Sequence, residues 1–177
     1  MILFIPLIIF KKEEYNFTKV TSLLGIIVFI GIIFHGVINV RLFGLEEILY
    51  LLIITILTDT FAYLGGKLFG KTKLIERISP NKTVEGSLCG LIVATSIASV
   101  FYLFFVNPSA NILVIILISF ILSIIGQVGD LVFSSIKREF EVKDYSNIIP
   151  GHGGMLDRFD SIAFVTLFYI VVKLLFL

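Results

Sequence analysis

The sequence has 177 residues, of which 58% are hydrophobic and 15% are charged, and its mean hydropathy is +1.07. Soluble domains carry about 25% charged residues, so this composition excludes an ordinary water-soluble domain and indicates a protein of the lipid bilayer. The net charge of +1 provides no general attraction to nucleic acid, and we expect none as a partner. A single cysteine, Cys89, excludes an internal disulfide. No linker-like segment divides the chain, so we expect one membrane domain over residues 1–177.

A membrane-spanning helix needs about 20 mostly apolar residues, and the chain contains five such segments. They lie, in chain order, at about residues 20–40, 48–64, 86–106, 111–133 and 161–177. The apolar stretch 1–10 has about half the length of a span and lacks the basic start and cleavage site of a signal peptide. We therefore predict an all-α fold, a polytopic bundle of about five full spans preceded by a short apolar segment.

The basic side chains are distributed unevenly between the predicted loops. Of the 14 Lys and Arg residues, only Arg41 and Lys173 lie on one side of the bundle, and the other 12 lie on the opposite side. Because cytoplasmic loops retain Lys and Arg, we predict that loops 65–82 and 137–160 both face the cytoplasm. The two loops are joined by a helical hairpin with its turn at 107–110. The expected location is the inner (cytoplasmic) membrane, with the active site open to cytosolic nucleotides.

Two acidic residues lie near the cytoplasmic ends of predicted spans, Asp59 and Asp130. Ionisable side chains inside a membrane are costly and often mark a functional site. The alternative for each is a helix-end carboxylate that reaches the water. Helical spacing places Ser134 and Lys137 on the same face as Asp130, at i+4 and i+7, with Arg138 beside them. This pattern favours a polar site that rises out of the membrane.

The loop before the last span carries the strongest indication of phosphate and metal chemistry. Three glycines within residues 151–154 let backbone amides approach an anion closely. Asp157 and Asp160 follow at helical spacing i and i+3 and so share a face. With Asp130 they supply the carboxylate oxygens that Mg²⁺ prefers, so we predict a metal site at Asp130, Asp157 and Asp160. The alternative is an acidic first helical turn that the helix dipole favours.

The other cytoplasmic loop predicts a phosphate clamp. The pair Ser79-Pro80 is typical of an N-cap followed by the first helical residue, so we expect the next three residues in a first turn whose free amides favour anions. The alternative is an ordinary capped helix start. The predicted clamp comprises Ser79, Asn81, Lys82, Thr83 and Glu85.

Residues 65–72 match the P-loop pattern G-x-x-x-x-G-K-[ST]. A true P-loop follows a buried strand in an α/β sheet, whereas a membrane span precedes this segment. We reject the P-loop and expect a flexible basic turn near the lipid headgroups.

Taken together, these motifs resemble the signature of phosphatidate cytidylyltransferases, also called CDP-diacylglycerol synthases. The resemblance extends over about residues 45–177, with 1–44 as N-terminal helices. Its motifs are 59–63 (Asp-Thr-Phe-Ala-Tyr), 70–71 (Gly-Lys), 79–86 (Ser-Pro-Asn-Lys-Thr-Val-Glu-Gly), 134–138 (Ser-Ser-Ile-Lys-Arg), 143–144 (Lys-Asp) and 150–160 (Pro-Gly-His-Gly-Gly-Met-Leu-Asp-Arg-Phe-Asp).

The resemblance implies transfer of a cytidylyl group from CTP to the phosphate of phosphatidic acid, which gives CDP-diacylglycerol and pyrophosphate. Mg²⁺ is the implied cofactor, with a second cation as a further expectation. The implied catalytic residues are Asp130, Lys137, Arg138, Asp144, His152, Asp157 and Arg158. The implied substrate-binding residues are Asp59, Ser79, Asn81, Lys82, Thr83, Glu85, Ser134, Lys143, Gly153 and Gly154.

The beginning of the chain departs from the family pattern, because members usually have further N-terminal membrane helices. We therefore expect a truncated gene, a split gene or a short natural form. The expected partners are CTP, phosphatidic acid, the lipid bilayer, and either a second copy of the chain or a separate N-terminal half. The alternatives are a CTP-dependent enzyme for another lipid (a CDP-archaeol synthase or a polyprenol kinase), a non-catalytic membrane subunit, or a small transporter, which would leave the long polar loop unexplained.

Overall fold

In a computed structural model of the chain, the structure describes residues 17–139 and 156–176. These residues form five long helices and one short β-hairpin, so the predicted helical membrane bundle is confirmed, although the segment 1–10 lies outside the described residues. The elements are α1 (Phe17–Phe43), α2 (Leu45–Phe69), β1 (Lys73–Ile75), β2 (Ser79–Thr83), α3 (Val84–Phe101), α4 (Ile112–Glu139) and α5 (Leu156–Phe176).

Four helices, α1 to α4, are long and apolar enough to cross a membrane. A π-helical turn, Tyr102–Val106, extends α3 so that the span Val84–Val106 has 23 residues. Helix α5 has 21 residues, which is about 31 Å at the helical rise, and its crossing stays a prediction. The predicted turn between α3 and α4 is confirmed, because the N–H of Ala110 donates to the carbonyl of Asn107 over 3.2 Å.

Close backbone contact holds α2 against α3, the most closely packed pair of helices. A Cβ atom added to Gly90 would lie 2.4 Å from the carbonyl oxygen of Thr58, and one added to Gly86 would lie 2.4 Å from that of Ala62. Lipid is as apolar as the helices, so association in a membrane depends on such close packing of small residues. Glycines four residues apart place both contacts on one face of α3.

Hydroxyl groups buried between the helices add hydrogen bonds to this packing. The Tyr50 and Ser119 hydroxyls are 2.8 Å apart, and Ser99 donates to Ser119 over 3.1 Å. The Thr58 and Ser123 hydroxyls are also 2.8 Å apart. No water competes for these groups inside a bilayer, so the contacts fix α2, α3 and α4 relative to one another.

The structure contradicts the helix start predicted at Ser79. Residues Ser79–Thr83 form β2, which pairs with β1 in an antiparallel hairpin. The helix begins at Val84, because Thr83 has an extended backbone (φ −123°, ψ 154°) and its Oγ1 accepts a hydrogen bond from the Gly86 N–H. The true N-cap is therefore Thr83, four residues after the predicted one, and residues 80–83 are not in a first helical turn.

The segment with the P-loop pattern also differs from its prediction in part. Residues 65–69 are the last residues of α2 rather than a flexible turn, and the helix ends at a C-cap at Gly70. A helix, not a strand, precedes the glycines. The rejection of a P-loop is therefore confirmed.

Replacing Gly90 by alanine tests the close contact between α2 and α3. Alanine is the better helix former by about 1 kcal/mol, yet we expect Gly90→Ala to lower the free energy of unfolding by about 1–3 kcal/mol, because its methyl group meets a backbone carbonyl. The matched control is Gly31→Ala, where a Cβ has no neighbour within 4 Å. Thermal unfolding in detergent measures both, and equal effects of the two substitutions would contradict the contact.

Candidate active site

Three carboxylates from three helices meet at one end of the bundle. Asp59 of α2, Asp130 of α4 and Asp160 of α5 interact electrostatically with one another. Asp160 is buried, and the buried Ser161 beside it donates its hydroxyl to Asp59 over 3.4 Å. Three like charges at such close range repel one another unless cations compensate them.

Two lysines provide that compensation among the described residues. The Lys82 ammonium of β2 forms an ion pair with the Asp130 carboxylate, and both side chains remain about a quarter exposed (28% and 21%). Lys137 is buried in α4 and interacts electrostatically with Asp160. Ser134 completes the predicted face of α4, since its hydroxyl lies 3.4 Å from Asp130. The cluster therefore combines negative and positive side chains, and solvent reaches it at Lys82 and Asp130.

A glycine brings the two carboxylates of α4 and α5 together. A Cβ atom on Gly129 would lie 2.9 Å from the ring of Phe164 and 3.1 Å from the carbonyl oxygen of Asp160. The backbone of α4 therefore contacts α5 directly, one residue before Asp130. A larger residue at position 129 would push the two helices apart at the site.

Contacts on both sides hold the hairpin that carries Lys82. The Glu85 carboxylate accepts hydrogen bonds from the backbone N–H groups of Lys71 (3.1 Å) and Thr72 (3.2 Å). On the other side, the Arg138 Nε donates to the carbonyl of Ile78 over 3.3 Å. These contacts give Glu85 and Arg138 a structural role, and their predicted roles in substrate binding and catalysis stay predictions.

A cavity of about 230 Å³ lies beside the cluster, between α2 and the hairpin. Two hydrogen bonds to Ser87 fix the side chain of Gln127, which lines this cavity. The Ser87 hydroxyl donates to the Gln127 side-chain oxygen, and the Gln127 amide donates to the Ser87 carbonyl over 3.3 Å. The cavity is lined by Asp59, Ala62, Tyr63, Leu74, Ser79, Asn81, Lys82, Thr83, Ser87 and Gln127.

The structure thus brings together most of the predicted site residues that it describes. Those in the charged cluster are Asp59, Lys82, Asp130, Ser134, Lys137 and Asp160. Three more, Ser79, Asn81 and Thr83, line the cavity. The predicted residues outside the described part of the chain are Lys143, Asp144, His152, Gly153 and Gly154, together with the side chains of Asp157 and Arg158.

Four residues that line the cavity or contact the cluster were not predicted as site residues, although the first belongs to the motif 59–63: Tyr63, Ser87, Gln127 and Ser161. Gln127 is the one with a usable signal, because it is an amide within an apolar span, three residues before Asp130. The other three residue types occur throughout membrane helices and carry no such signal.

The donor atoms of the cluster suit a hard divalent cation. Carboxylate oxygens such as those of Asp130 and Asp160 are the ligands that Mg²⁺ takes, usually one or two at a time with substrate phosphates. Within the described residues, no three His, Cys, Asp or Glu side chains are arranged to hold a metal ion by themselves. Asp130 and Asp160 could therefore supply two ligands of such an ion, and the predicted metal site stays a prediction.

Comparison with known proteins identifies relatives of this chain. Residues 1–176 match the sequence profile of the family described as "Cytidylyltransferase family". Over 89% of its own length, the chain is 47% identical to the phosphatidate cytidylyltransferase of Staphylococcus haemolyticus. Over 99% of its own length, it is 41% identical to the phosphatidate cytidylyltransferase of Bacillus subtilis. The matched regions are 60% and 66% of those two proteins, so the chain spans less than two thirds of their length.

Neutralising Glu85 tests how the hairpin is held. We expect Glu85→Gln to accelerate amide hydrogen exchange at Lys71 and Thr72, because a neutral amide oxygen is a weaker acceptor than a carboxylate. Glu76→Gln is the matched control, since Glu76 lies in the exposed turn of the same hairpin. Unchanged exchange at residues 71 and 72 in the Glu85 variant would contradict the structural role.

Proposed function

Because the chain belongs to the cytidylyltransferase family, we propose that it transfers the cytidylyl group of CTP to the phosphate of phosphatidic acid, giving CDP-diacylglycerol and pyrophosphate. The observation that carries this proposal is the meeting of Asp59, Asp130 and Asp160 with Lys82 and Lys137 at one end of a membrane bundle. Relatives named phosphatidate cytidylyltransferase support the choice of lipid acceptor.

The proposed reaction needs no nucleophile from the protein. A phosphate monoester has a second pKa of about 6, so the lipid phosphate is largely ionised at neutral pH. One of its oxygens attacks the α-phosphorus of CTP, a new P–O–P linkage forms, and the bond to the leaving pyrophosphate breaks. Such transfers depend mainly on positioning and on electrostatic stabilisation. The two lysines and three carboxylates of the cluster are the charged groups that this task needs.

The described residues suggest how the two polyanions are held. Lys82 forms an ion pair with Asp130 and Lys137 interacts electrostatically with Asp160, so in this proposal each presents its ammonium group to a phosphate. In this proposal Asp130 and Asp160, with Asp157 of the same helical turn as Asp160, would hold Mg²⁺. When bound, the ion neutralises phosphate charge and favours departure of pyrophosphate. The cavity beside Lys82 receives the polar part of one substrate, and the lipid tails stay among the helices.

Substitution of Asp130 tests this assignment. We expect Asp130→Asn to reduce incorporation of labelled CTP into phosphatidic acid on the order of 100-fold or more, because it removes a charge at the centre of the cluster. Glu139→Gln, an exposed change at the end of the same helix, is the control. Both purified variants are first shown to unfold at the wild-type temperature.

Near-normal turnover by Asp130→Asn would contradict the catalytic role of the cluster. The same assay separates the rival activity, because a CTP-dependent kinase of another lipid releases CDP instead of pyrophosphate. Release of CDP by the wild-type chain would therefore overturn the proposed reaction.

We also propose that the site faces the cytoplasm, where CTP is available. The basic residues of the described chain support this orientation, because seven of its eleven Lys and Arg residues lie in the segment 67–82 and at the end of α4, whereas Arg41 and Lys173 lie at the other end. The relatives are bacterial, which supports the plasma membrane as the location.

Thiol labelling with a membrane-impermeant reagent tests the orientation. In a background without Cys89, we expect Arg77→Cys in the hairpin to react only in inside-out vesicles. Ser109→Cys, in the turn between α3 and α4, is the matched site at the other end and should react only in right-side-out vesicles. The reverse pattern would place the site outside the cytoplasm.

A further inference from the structure

A second polar cluster lies at the end of the bundle remote from the site, and the proposed reaction does not use it. Glu47, near the start of α2, is 5% exposed, and the Lys173 ammonium, near the end of α5, lies 2.6 Å from its carboxylate. The buried Tyr169 hydroxyl donates to the same carboxylate. An ion pair in this position is an expensive way to join two helices, because both charges lose hydration.

The spacing of the contacts between α2 and α5 is the same on both helices. Glu47 precedes Asp59 by 12 residues, and Ser161 precedes Lys173 by 12 residues. Two contacts therefore join α2 to α5, the Glu47–Lys173 pair and the contact of Ser161 with Asp59. Along either helix they are about 18 Å apart at the helical rise. Between them, the rings of Tyr50 and Tyr169 are 5.8 Å apart. All three contacts follow if two antiparallel helices hold one axial alignment.

Other helix pairs in the bundle have a different means of alignment. Glycines hold α3 against α2 and α4 against α5, as at Gly90 and Gly129. Among the described glycines, none has its close neighbours across the contact of α2 with α5. Helix α4 packs on both α2 and α5 and so aligns them indirectly. The direct contact of α2 with α5 has no such glycine, so a polar pair is the device that can fix it. Buried polar pairs are best attested as devices that select one alignment.

We propose that the Glu47–Lys173 ion pair is a positioning device that fixes the axial alignment of α2 with α5, and so places Asp59 beside Ser161 and Asp160 at the opposite end. A slip of one helical turn would move Asp59 by about 5 Å relative to Ser161. Both residues of the pair thus act on the site through the helices that carry them. The alignment itself does not depend on the proposed function, although its effect on catalysis does.

Distance measurement between spin labels tests the alignment directly. The labels are placed on Leu68 and Leu174, exposed side chains at opposite ends of α2 and α5, in the full chain without Cys89. The test variant is Glu47→Met with Lys173→Met, because an apolar pair of similar volume generally preserves stability while it removes the polar preference. The control is Glu46→Met, an exposed acid next to Glu47.

We expect the double methionine variant to fold and to show a second label distance, shifted by about 5 Å, whereas the control keeps the single wild-type distance. The charge-exchanged variant, Glu47→Lys with Lys173→Glu, should restore the wild-type distance. A folded double methionine variant with the wild-type distance alone would overturn the proposal. If the double methionine variant does not fold, the charge-exchanged variant provides the test. The wild-type label distance in that variant supports the proposal, and a different distance overturns it.

Measurement of enzymatic activity provides a second test, which rests on the proposed function. Incorporation of CTP per folded molecule should fall about 100-fold in the double methionine variant and recover in the exchanged pair. If the pair only stabilised the fold, its removal would lower the unfolding temperature and leave the activity per folded molecule unchanged. If the wild-type chain releases CDP instead of pyrophosphate, the proposed function fails while the distance measurement still tests the alignment.

Discussion

A polar group below the membrane surface has no water to bind and must be satisfied by the protein itself. This constraint accounts for most of what is distinctive in the bundle. Hydroxyls such as Ser119 and Ser123 pair with side chains of neighbouring helices. The carboxylates of Glu47, Asp59 and Asp130 each meet a cation or a hydroxyl. Charges are kept at the two ends of the bundle, and the middle is joined by glycine contacts and hydroxyls.

The two ends of the bundle use their charges differently. At the remote end, Glu47 is almost wholly buried and its partners come from one helix, which suits a fixed joint. At the site, Asp130 and its partner Lys82 remain partly exposed, and the partner belongs to a short hairpin rather than to a packed helix. An exposed, mixed cluster is the arrangement that a charged substrate can enter.

Sequence could predict the helices because their length and apolarity are local properties, and it could predict Asp59, Asp130 and Asp160 because charges are rare there. The hairpin was missed because strands of three and five residues leave almost no periodic pattern, and because Ser79-Pro80 is a plausible cap by itself. The actual cap, Thr83, depends on the pairing of β2 with β1, a contact that no single segment encodes.

The contacts of Ser161 and Glu47 could not be predicted for a related reason. Both depend on the axial alignment of α2 with α5, two helices that are separated by about 90 residues of chain. An apolar helix in an apolar solvent has little preference for the side it presents, so hydrophobic periodicity does not fix which residues meet.

The Lys82–Asp130 ion pair has a thermodynamic consequence for ligands of either charge. An anion that takes the lysine leaves the carboxylate uncompensated and more attractive to a cation, and a cation that takes the carboxylate leaves the lysine more attractive to an anion. By linkage, each kind of ligand then strengthens the binding of the other by the same factor. If the proposed reaction takes place here, this one salt bridge therefore couples the binding of the cation to the binding of the anion.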